Sequence, residues 1–422
     1  MKRLLLVSGC FATLLVFGRS ATLRLTTPLM PAFATSPSGS VPQFSQNSSV
    51  VMPSPSQPWI KPRSGWLYVL DVKGGNGPNG QILLVDPQAQ VIANRIATGY
   101  HPEMALSPAG TRLYLVTAHD LSVFDVVSGQ VSQTLPLENR WSYTISPDFP
   151  TVAISADGRW LYVYKMYARG GPQNTKYTVA TFDTMNGAFL KTETEVGCES
   201  ALLLPSSAGE NLQVICPSEN DRTPALIRFL HLTSEPATST VLALPNGKVP
   251  NTQITPALQG GGIGLWNVRT GTLSPDESTL TIFKGDGTAL EIDVATRTQK
   301  RALTEVYMTD RWVPSRPAVY SHDGTRVYVA IGRLATRTTG QAEEIFVFDA
   351  RTGRQITTIK TSIPFESLAI SNDDRYLYAP SPDRSNPPAI LGRIIVIDTS
   401  NYREINTMQG IGMLPVSLLV AR

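Results

Sequence analysis

Between residues 65 and 422, apolar and polar positions alternate with a period of two in short runs, separated by turns of Ser, Asp, Asn, Gly and Pro. No stretch in this region sustains a helical period, so the pattern predicts strands joined by tight turns. One unit is a polar turn feeding an alternating strand: Ser107-Pro-Ala-Gly-Thr-Arg-Leu-Tyr-Leu115, Ser155-Ala-Asp-Gly-Arg-Trp-Leu-Tyr-Val163, Ser321-His-Asp-Gly-Thr-Arg-Val-Tyr-Val329 and Ser371-Asn-Asp-Asp-Arg-Tyr-Leu-Tyr-Ala379. Looser copies run from Pro205 to Val214 and from Ser274 to Ile282. An apolar strand precedes each, as in Thr151-Val-Ala-Ile154, which predicts a hairpin whose Ser, Asp and Gly supply the turn geometry.

A second unit is a strand ending in an apolar residue and Asp, then a turn and another strand. It occurs at Val85-Asp86, Phe124-Asp125, Phe182-Asp183, Ile292-Asp293, Phe348-Asp349 and Ile397-Asp398, with a degenerate copy near His231. Its recurrence favours a turn-capping role for Asp over an acid pair. Two hairpins make one four-stranded sheet. With about 60 N-terminal residues set aside, seven copies leave roughly 50 residues each, the size of a propeller blade and not the repeat of a sandwich. The final run, Val416 to Arg422, lacks a later partner, and Gly65 to Asp71 lacks an earlier one. Pairing them closes a circle. The expected fold is all-β: a seven-bladed β-propeller of four-stranded blades over residues 62–422, with the C-terminal strand completing the first blade.

The Ser-Pro-Asp-Gly-like turn before a Leu-Tyr-Val strand, followed by a Val-Phe-Asp strand with a Thr-Gly turn, resembles the YVTN-type repeats of bacterial propellers. These are grouped with quinoprotein amine dehydrogenase heavy chains. The resemblance covers the whole repeat region, and its motifs specify blades, not chemistry. It implies a binding protein, a partner of a redox subunit or, in a few members, an enzyme. In the amine dehydrogenases the quinone belongs to a separate light chain, so by that analogy this chain needs a partner for redox chemistry and carries no cofactor itself.

The N-terminus begins Met1-Lys-Arg3 and continues with an apolar stretch from Leu4 to Phe17, which fits a secretory signal and is short for a membrane span. Cleavage is expected after Ser20, or as late as Ala34. Val7-Ser-Gly-Cys10 has the shape of a lipobox, but few apolar residues precede it and the apolar run continues past it, which argues against lipidation of Cys10. Residues 21–61 are rich in Pro, Ser, Thr and Gln and are expected to form a disordered linker. Export to a periplasmic, cell-envelope or secreted location follows, with membrane contact only through an uncleaved or lipidated N-terminal segment. Of three cysteines, Cys198 and Cys216 flank one predicted hairpin, a geometry that suits a disulfide in an oxidising compartment.

The chain has 422 residues, 42% of them hydrophobic, enough to build a core within and between blades. Charged residues are 16% and the net charge is +3, too mild a bias to argue for nucleic acid. In a propeller the turns within hairpins share one face, and the connections between second and third strands and between blades share the other. Insertions concentrate on the latter, at 73–80, 168–175, 218–224, 332–340 and 381–388. Long loops on a rigid scaffold are where binding usually resides. That face also gathers Asn139-Arg140-Trp141 beside Tyr143, Asp310-Arg311-Trp312 beside Arg316, and Trp266 with Arg269. Arg with Trp offers a bidentate donor and an aromatic face, suiting an anionic or aromatic group. His101 enters the second blade's inner strand and completes a cationic, aromatic-lined candidate funnel. The same Trp side chains would equally plug the channel, and the Arg side chains would equally pair with Glu103, Glu199, Asp310 or Glu366.

Catalytic and metal signals are sparse. There are four His, and none has the spacing of a metal site; His322 falls in a turn on the opposite face, where solvation is expected. The run Asp71 to Asn79 holds oxygen ligands and glycines without calcium-loop spacing. No nucleophile elbow, phosphate loop, zinc helix or haem motif occurs. The expected function is an exported, non-enzymatic propeller that binds a protein, a glycan or a small anionic ligand. The alternatives are an oxidoreductase subunit with a separate redox partner, and a propeller lyase or lactonase, which typically needs His and carboxylate clusters that the chain does not assemble.

Overall fold

The computed structural model describes residues 58–72, 80–98, 102–117, 120–136, 152–168, 175–185, 191–196, 201–206, 211–216, 226–231, 238–243, 268–284, 289–303, 311–312, 318–333, 342–382 and 391–422. All belong to the unit Ser49–Arg422; the other unit, Met1–Ser48, lies outside them, and with it the N-terminal stretch expected to be a signal and Cys10.

Seven antiparallel sheets follow one another along the chain. Blade 1 holds β1 (Leu67–Asp71), β2 (Gln81–Asp86) and β3 (Val91–Ala97), and blade 2 holds β4 (Glu103–Leu106), β5 (Arg112–Val116), β6 (Asp120–Asp125) and β7 (Gln130–Pro136). Blade 3 runs through β8 (Val152–Ile154), β9 (Trp160–Ala168), β10 (Thr175–Asp183) and β11 (Lys191–Glu195); blade 4 through β12 (Leu202–Pro205), β13 (Asn211–Cys216), β14 (Leu226–His231) and β15 (Thr238–Ala243). Blade 5 comprises β16 (Val268–Leu273), β17 (Thr279–Lys284), β18 (Ala289–Asp293) and β19 (Thr298–Leu303). In blade 6 the inner strand is split into β20 (Arg311–Trp312) and β21 (Val319–Tyr320), both paired with β22 (Arg326–Arg333), followed by β23 (Ala342–Asp349) and β24 (Gln355–Phe365). Blade 7 has β25 (Ala369–Ile370), β26 (Tyr376–Ser381), β27 (Arg393–Asp398) and β28 (Arg403–Gln409). The last strand, β29 (Pro415–Val420), pairs with β1, with Leu67 opposite Val420 and Val69 opposite Leu418. The C-terminal strand therefore completes the first blade of a seven-bladed β-propeller.

Turn chemistry explains why the repeats fold this way. In the turn at Ser321, the Ser N–H donates to the Arg326 carbonyl, the Arg326 N–H returns to Ser321 Oγ, and Ser321 Oγ–H donates to Asp323, which also accepts the Thr325 N–H. The same circuit is drawn at Ser155, Ser274 and Ser371. Its fourth residue is left-handed: Gly324 has φ of 70°, while Asp374 reaches 59° at the equivalent place in blade 7. The second repeat behaves as expected, with Asp125, Asp183, Asp293, Asp349 and Asp398 each accepting a backbone N–H two or three residues ahead. His231, the degenerate copy, pairs instead with Asn211.

The core is a ring of seven interblade seams, because side chains from the two middle strands of each blade reach the next one. Tyr68 and Leu84 pack on Leu113 and Leu115; Tyr114 and Val123 on Leu161 and Val163; Tyr162 on Leu212 and Val214. Ile215 and Phe229 meet Leu280 and Ile282, Phe283 meets Val327 and Val329, and Tyr328 and Val347 meet Leu377 and Ile395. The seventh cluster joins Tyr378 and Val396 of blade 7 to Leu67, Val69 and Leu83 of blade 1, together with Leu418 from β29.

Buried Asp71 locks this closure. Its Oδ1 accepts the N–H groups of Met413 and Leu414, at 3.1 and 2.7 Å, and its Oδ2 accepts from Gln81 Nε2 at 2.6 Å. Gln81 Oε1 in turn accepts from Arg95 Nη1. The carboxylate that opens the candidate calcium run is thus committed to the C-terminal segment. The other end of the unit is tied as well. Trp59 and Ile60, expected in the linker, are docked: Trp59 Nε1 donates to the Val126 carbonyl at 2.9 Å, its ring meets Phe124 edge-on, and Asn94 donates to the Ile60 carbonyl. A Cβ on Gly129 would collide with the Trp59 ring.

Asp71→Ala is expected to lower the unfolding free energy by about 3 kcal/mol, since it strands two backbone donors and a Gln amide; chemical denaturation measures this. Turn donors lower the carboxyl pKa: the Ser hydroxyl foremost at Asp276, Asp323, Asp373 and Asp398, and a backbone N–H foremost at Asp125, Asp293 and Asp349. Their folded pKa lies below the unfolded value of about 3.9, so the contribution is full above that pH and is lost as pH falls through the folded pKa. Thermal midpoints should therefore hold from about pH 7 to 5 and fall below about pH 4, with a shallower fall in Asp349→Asn.

Candidate functional site

The most distinctive side-chain arrangement among the described residues lies on the turn face between blades 5 and 6. Strand register shows how it departs from the repeat. One residue per strand faces the next blade at a common level: Ala105, Tyr114, Val123 and Gln133 in blade 2; Val319, Tyr328, Val347 and Thr357 in blade 6; Ala369, Tyr378, Val396 and Asn406 in blade 7. The corresponding row in blade 5 is Thr272, Thr281, Glu291 and Arg301. At this level blade 5 is polar on all four strands, whereas blades 2, 6 and 7 are apolar or aromatic on their three inner strands; the apolar cluster of Phe283 with Val327 and Val329 lies beside it in the same seam.

The polar groups are mutually satisfied. Arg301 clamps Glu291 with two hydrogen bonds, Nε to Oε2 at 2.6 Å and Nη2 to Oε1 at 2.7 Å, and Glu291 is only 2% exposed. Arg301 also donates to the Ala350 and Arg351 carbonyls of blade 6, so it spans the seam. The Glu291 hydrogen bonds raise the Arg301 pKa further. Tyr320, where blades 2, 3, 5 and 7 carry Leu106, Ile154, Leu273 and Ile370, places its hydroxyl 2.8 Å from Thr281 Oγ1. Burial pushes its phenol pKa up, opposed by that hydrogen bond. Above them opens a cleft of about 380 Å³, walled by Ser274, Asp276, Ser278 and Thr279 of one turn, Asp323 and Gly324 of the next, Lys300, Ala350 and Arg351. Lys300 Nζ donates to Thr279 Oγ1 at 3.1 Å.

Of the residues singled out from sequence, His101, Arg140, Trp141, Tyr143, Trp266 and Arg316 lie outside the described residues, as does Cys198. Arg269 falls at a bulge in the inner strand of blade 5, where the register passes from Val268–Lys284 to Thr270–Phe283. Arg311 and Trp312 are not simply a connection between blades: they form β20, opposite Arg333 and Gly332 at the long-connection end of β22. Cys216 is buried and disulfide-bonded. His322, expected to be solvated, spans the seam of blades 6 and 7, with Nδ1 2.6 Å from Asp374 Oδ1, while the backbone N–H groups of His322 and Asp323 donate to the same carboxylate. The polar seam escaped the sequence reading, although one signal was present: Leu280-Thr-Ile282 stands where other copies read Leu-Tyr-Val.

No known family matches this sequence, and no curated protein does. Solved structures do match the fold. The β-propeller domain of Myceliophteria thermophila Cps50 (Swd1) aligns with a TM-score of 0.52 at 14% identity, over 74% of this chain and 88% of that one. A functionally unknown protein from Desulfotomaculum acetoxidans aligns at 0.55 and 11%, over 85% and 99%. The dihydro-heme d1 dehydrogenase NirN, in complex with DHE, aligns at 0.51 and 13%, over 87% and 78%. At these identities the likeness shows a propeller fold and nothing of the activity.

Arg301→Thr alone should cost about 3 kcal/mol, since it leaves Glu291 buried and uncompensated, at the low end because Arg301 is partly exposed. Adding Glu291→Val, which recreates the Val347–Thr357 pair of blade 6, should recover most of that loss; urea unfolding of the two variants measures both.

Proposed function

We propose that this is an exported, non-enzymatic propeller that binds a protein, a glycan or a small anionic or aromatic ligand on its long-connection face. The observation that carries the reading is the division of labour between the faces. Turns within hairpins spend their Ser, Asp and backbone groups on one another. The connections at 72–80, 217–225, 334–341 and 382–392 leave from the opposite edge of the blades, where a rigid scaffold can hold variable loops. Arg269 and the Arg311–Trp312 strand sit at that edge, and with Arg140, Trp141, Tyr143, Trp266, Arg316 and His101 they would form the cationic, aromatic funnel. The disulfide at Cys216 supports export, with Cys198 the proposed partner and an N-terminal signal the proposed route.

The resemblance to YVTN-type and amine dehydrogenase heavy-chain repeats supports a second reading, a propeller subunit beside a redox-active partner. One experiment separates the two: native mass spectrometry, with metal analysis, of the mature protein from its own cell envelope. A bare monomer with an intact Cys198–Cys216 disulfide is the expected result. A co-purifying redox subunit or a bound metal would overturn the binding-module reading. With a ligand in hand, Arg140→Ala and Arg311→Ala should each weaken binding about tenfold without a change in thermal midpoint; unchanged affinity in both removes the funnel.

A further inference from the structure

The cleft between blades 5 and 6 lies on the turn face, away from the long connections, so it is a site separate from the funnel. We propose that it binds a neutral, polyhydroxylated ligand: a single sugar ring or a comparable polyol. Three observations lead there. First, charged side chains enter the repeat rows on this seam: Glu291 stands where blades 1, 2, 3, 4, 6 and 7 carry Leu84, Val123, Thr181, Phe229, Val347 and Val396, and Arg301 where blades 1, 2, 6 and 7 carry Asn94, Gln133, Thr357 and Asn406, with Thr281 and Tyr320 adding hydroxyls beside them. A stabilising role alone does not call for them, since replacing a buried ion pair by apolar side chains is often neutral or favourable.

Second, the charges in the cleft balance. Asp276, Glu291 and Asp323 face Lys300, Arg301 and Arg351. An anion or a cation would unbalance the set, whereas hydroxyl groups both donate and accept and leave it neutral. Donors and acceptors remain for such a ligand. Lys300 spends one ammonium N–H on Thr279, the Arg351 guanidinium makes no hydrogen bond among the described residues, and the turn uses Asp323 Oδ1 while its Oδ2 stays open. Hydrogen bonds from charged groups to neutral hydroxyls are the stronger kind.

Third, size and lining exclude the common alternatives. The volume of about 380 Å³ sits near the lower end of ligand pockets, roughly 300–1,000 Å³, and admits a ring more readily than a folded peptide. Tyr320 is the one aromatic side chain in the lining and commits its hydroxyl to Thr281, while the rest of the lining is Ser, Thr, Asp, Glu, Lys, Arg, Gly, Ala and Pro, a set richer in hydroxyl partners than in stacking surfaces.

The test is saturation-transfer NMR on the full mature chain with glucose, galactose, mannose, N-acetylglucosamine and myo-inositol, with benzoate and putrescine as anionic and cationic controls. At least one neutral compound should bind saturably, at a Kd on the order of 1 mM for so few contacts. Lys300→Ala and Arg351→Ala should each weaken that binding about tenfold, while Arg403→Ala, remote on blade 7, should leave it unchanged. Both cleft variants are expected to fold, because they alter exposed side chains and leave the Glu291–Arg301 clamp in place; circular dichroism confirms this. The proposal is overturned if none of the five neutral compounds saturates, if either charged control binds more tightly, or if binding survives both cleft substitutions. None of these outcomes bears on the opposite face, so the funnel stands or falls separately.

Discussion

Everything in this fold depends on one strand arriving last. Until Pro415–Val420 pairs with Leu67–Asp71, blade 1 lacks its inner strand and the ring has six seams with two open ends. A seam side chain such as Leu67 or Tyr378 stabilises by about 1.5–3 kcal/mol when buried, against a total of about 5–15 kcal/mol for a native domain. One open seam therefore threatens the whole circle. The chain supports the joint from several sides. Asp71 receives the N–H groups of Met413 and Leu414, Ser367 of blade 7 donates to the Val416 carbonyl, Asn372 to the Ala421 carbonyl, and Arg422 to the Pro108 carbonyl of blade 2. The Asp71 and Arg422 contacts join residues more than 300 positions apart, 342, 343 and 314, and closing so large a loop carries an entropic cost that a cooperative set of bonds offsets.

The N-terminal strap makes the same point at the outer rim. Trp59 crosses from blade 1 to blade 2 and takes the Val126 carbonyl, the position where Arg301 takes Ala350 and Arg112 takes Thr184 in other seams. In these three seams the carbonyl after the strand-ending Asp is the anchor for a side chain reaching across. Three different donors satisfy it: an indole, and two guanidinium groups reaching from different strands. What the repeat conserves is the acceptor, which is backbone, while the donor is free to vary.

That distinction explains what the sequence makes legible. The Ser-x-Asp-Gly turns, the Phe-Asp caps, the count of seven and the closing strand are encoded in contacts only a few residues apart, so spacing alone reveals them. The docking of Trp59 and Ile60 is not legible because they sit in a Pro- and Ser-rich composition without period. Asp71, the His322–Asp374 pair and the Tyr320–Thr281 pair join different strands or blades, and no local period reports a partner 39, 52 or 342 residues away. Glu291 and Arg301 were within reach. Aligning the repeats against one another, instead of against a consensus turn, sets Glu beneath Val123, Val347 and Val396 and marks the odd position.

The polar seam also constrains how the ring can distribute its stability. All seven seams gain from apolar burial, which is non-directional. The seam between blades 5 and 6 adds to its apolar cluster a bidentate ion pair and a hydroxyl pair, whose strength depends on distance and angle. An error in the relative position of blades 5 and 6 therefore costs more than the same error elsewhere. Because a closed ring shares its angular error among all seams, fixing this one fixes the geometry of the turn-face cleft while the other six absorb the slack. A polar seam is a poor way to gain stability and a good way to hold two turns at a set separation, which is what a small cleft between blades requires.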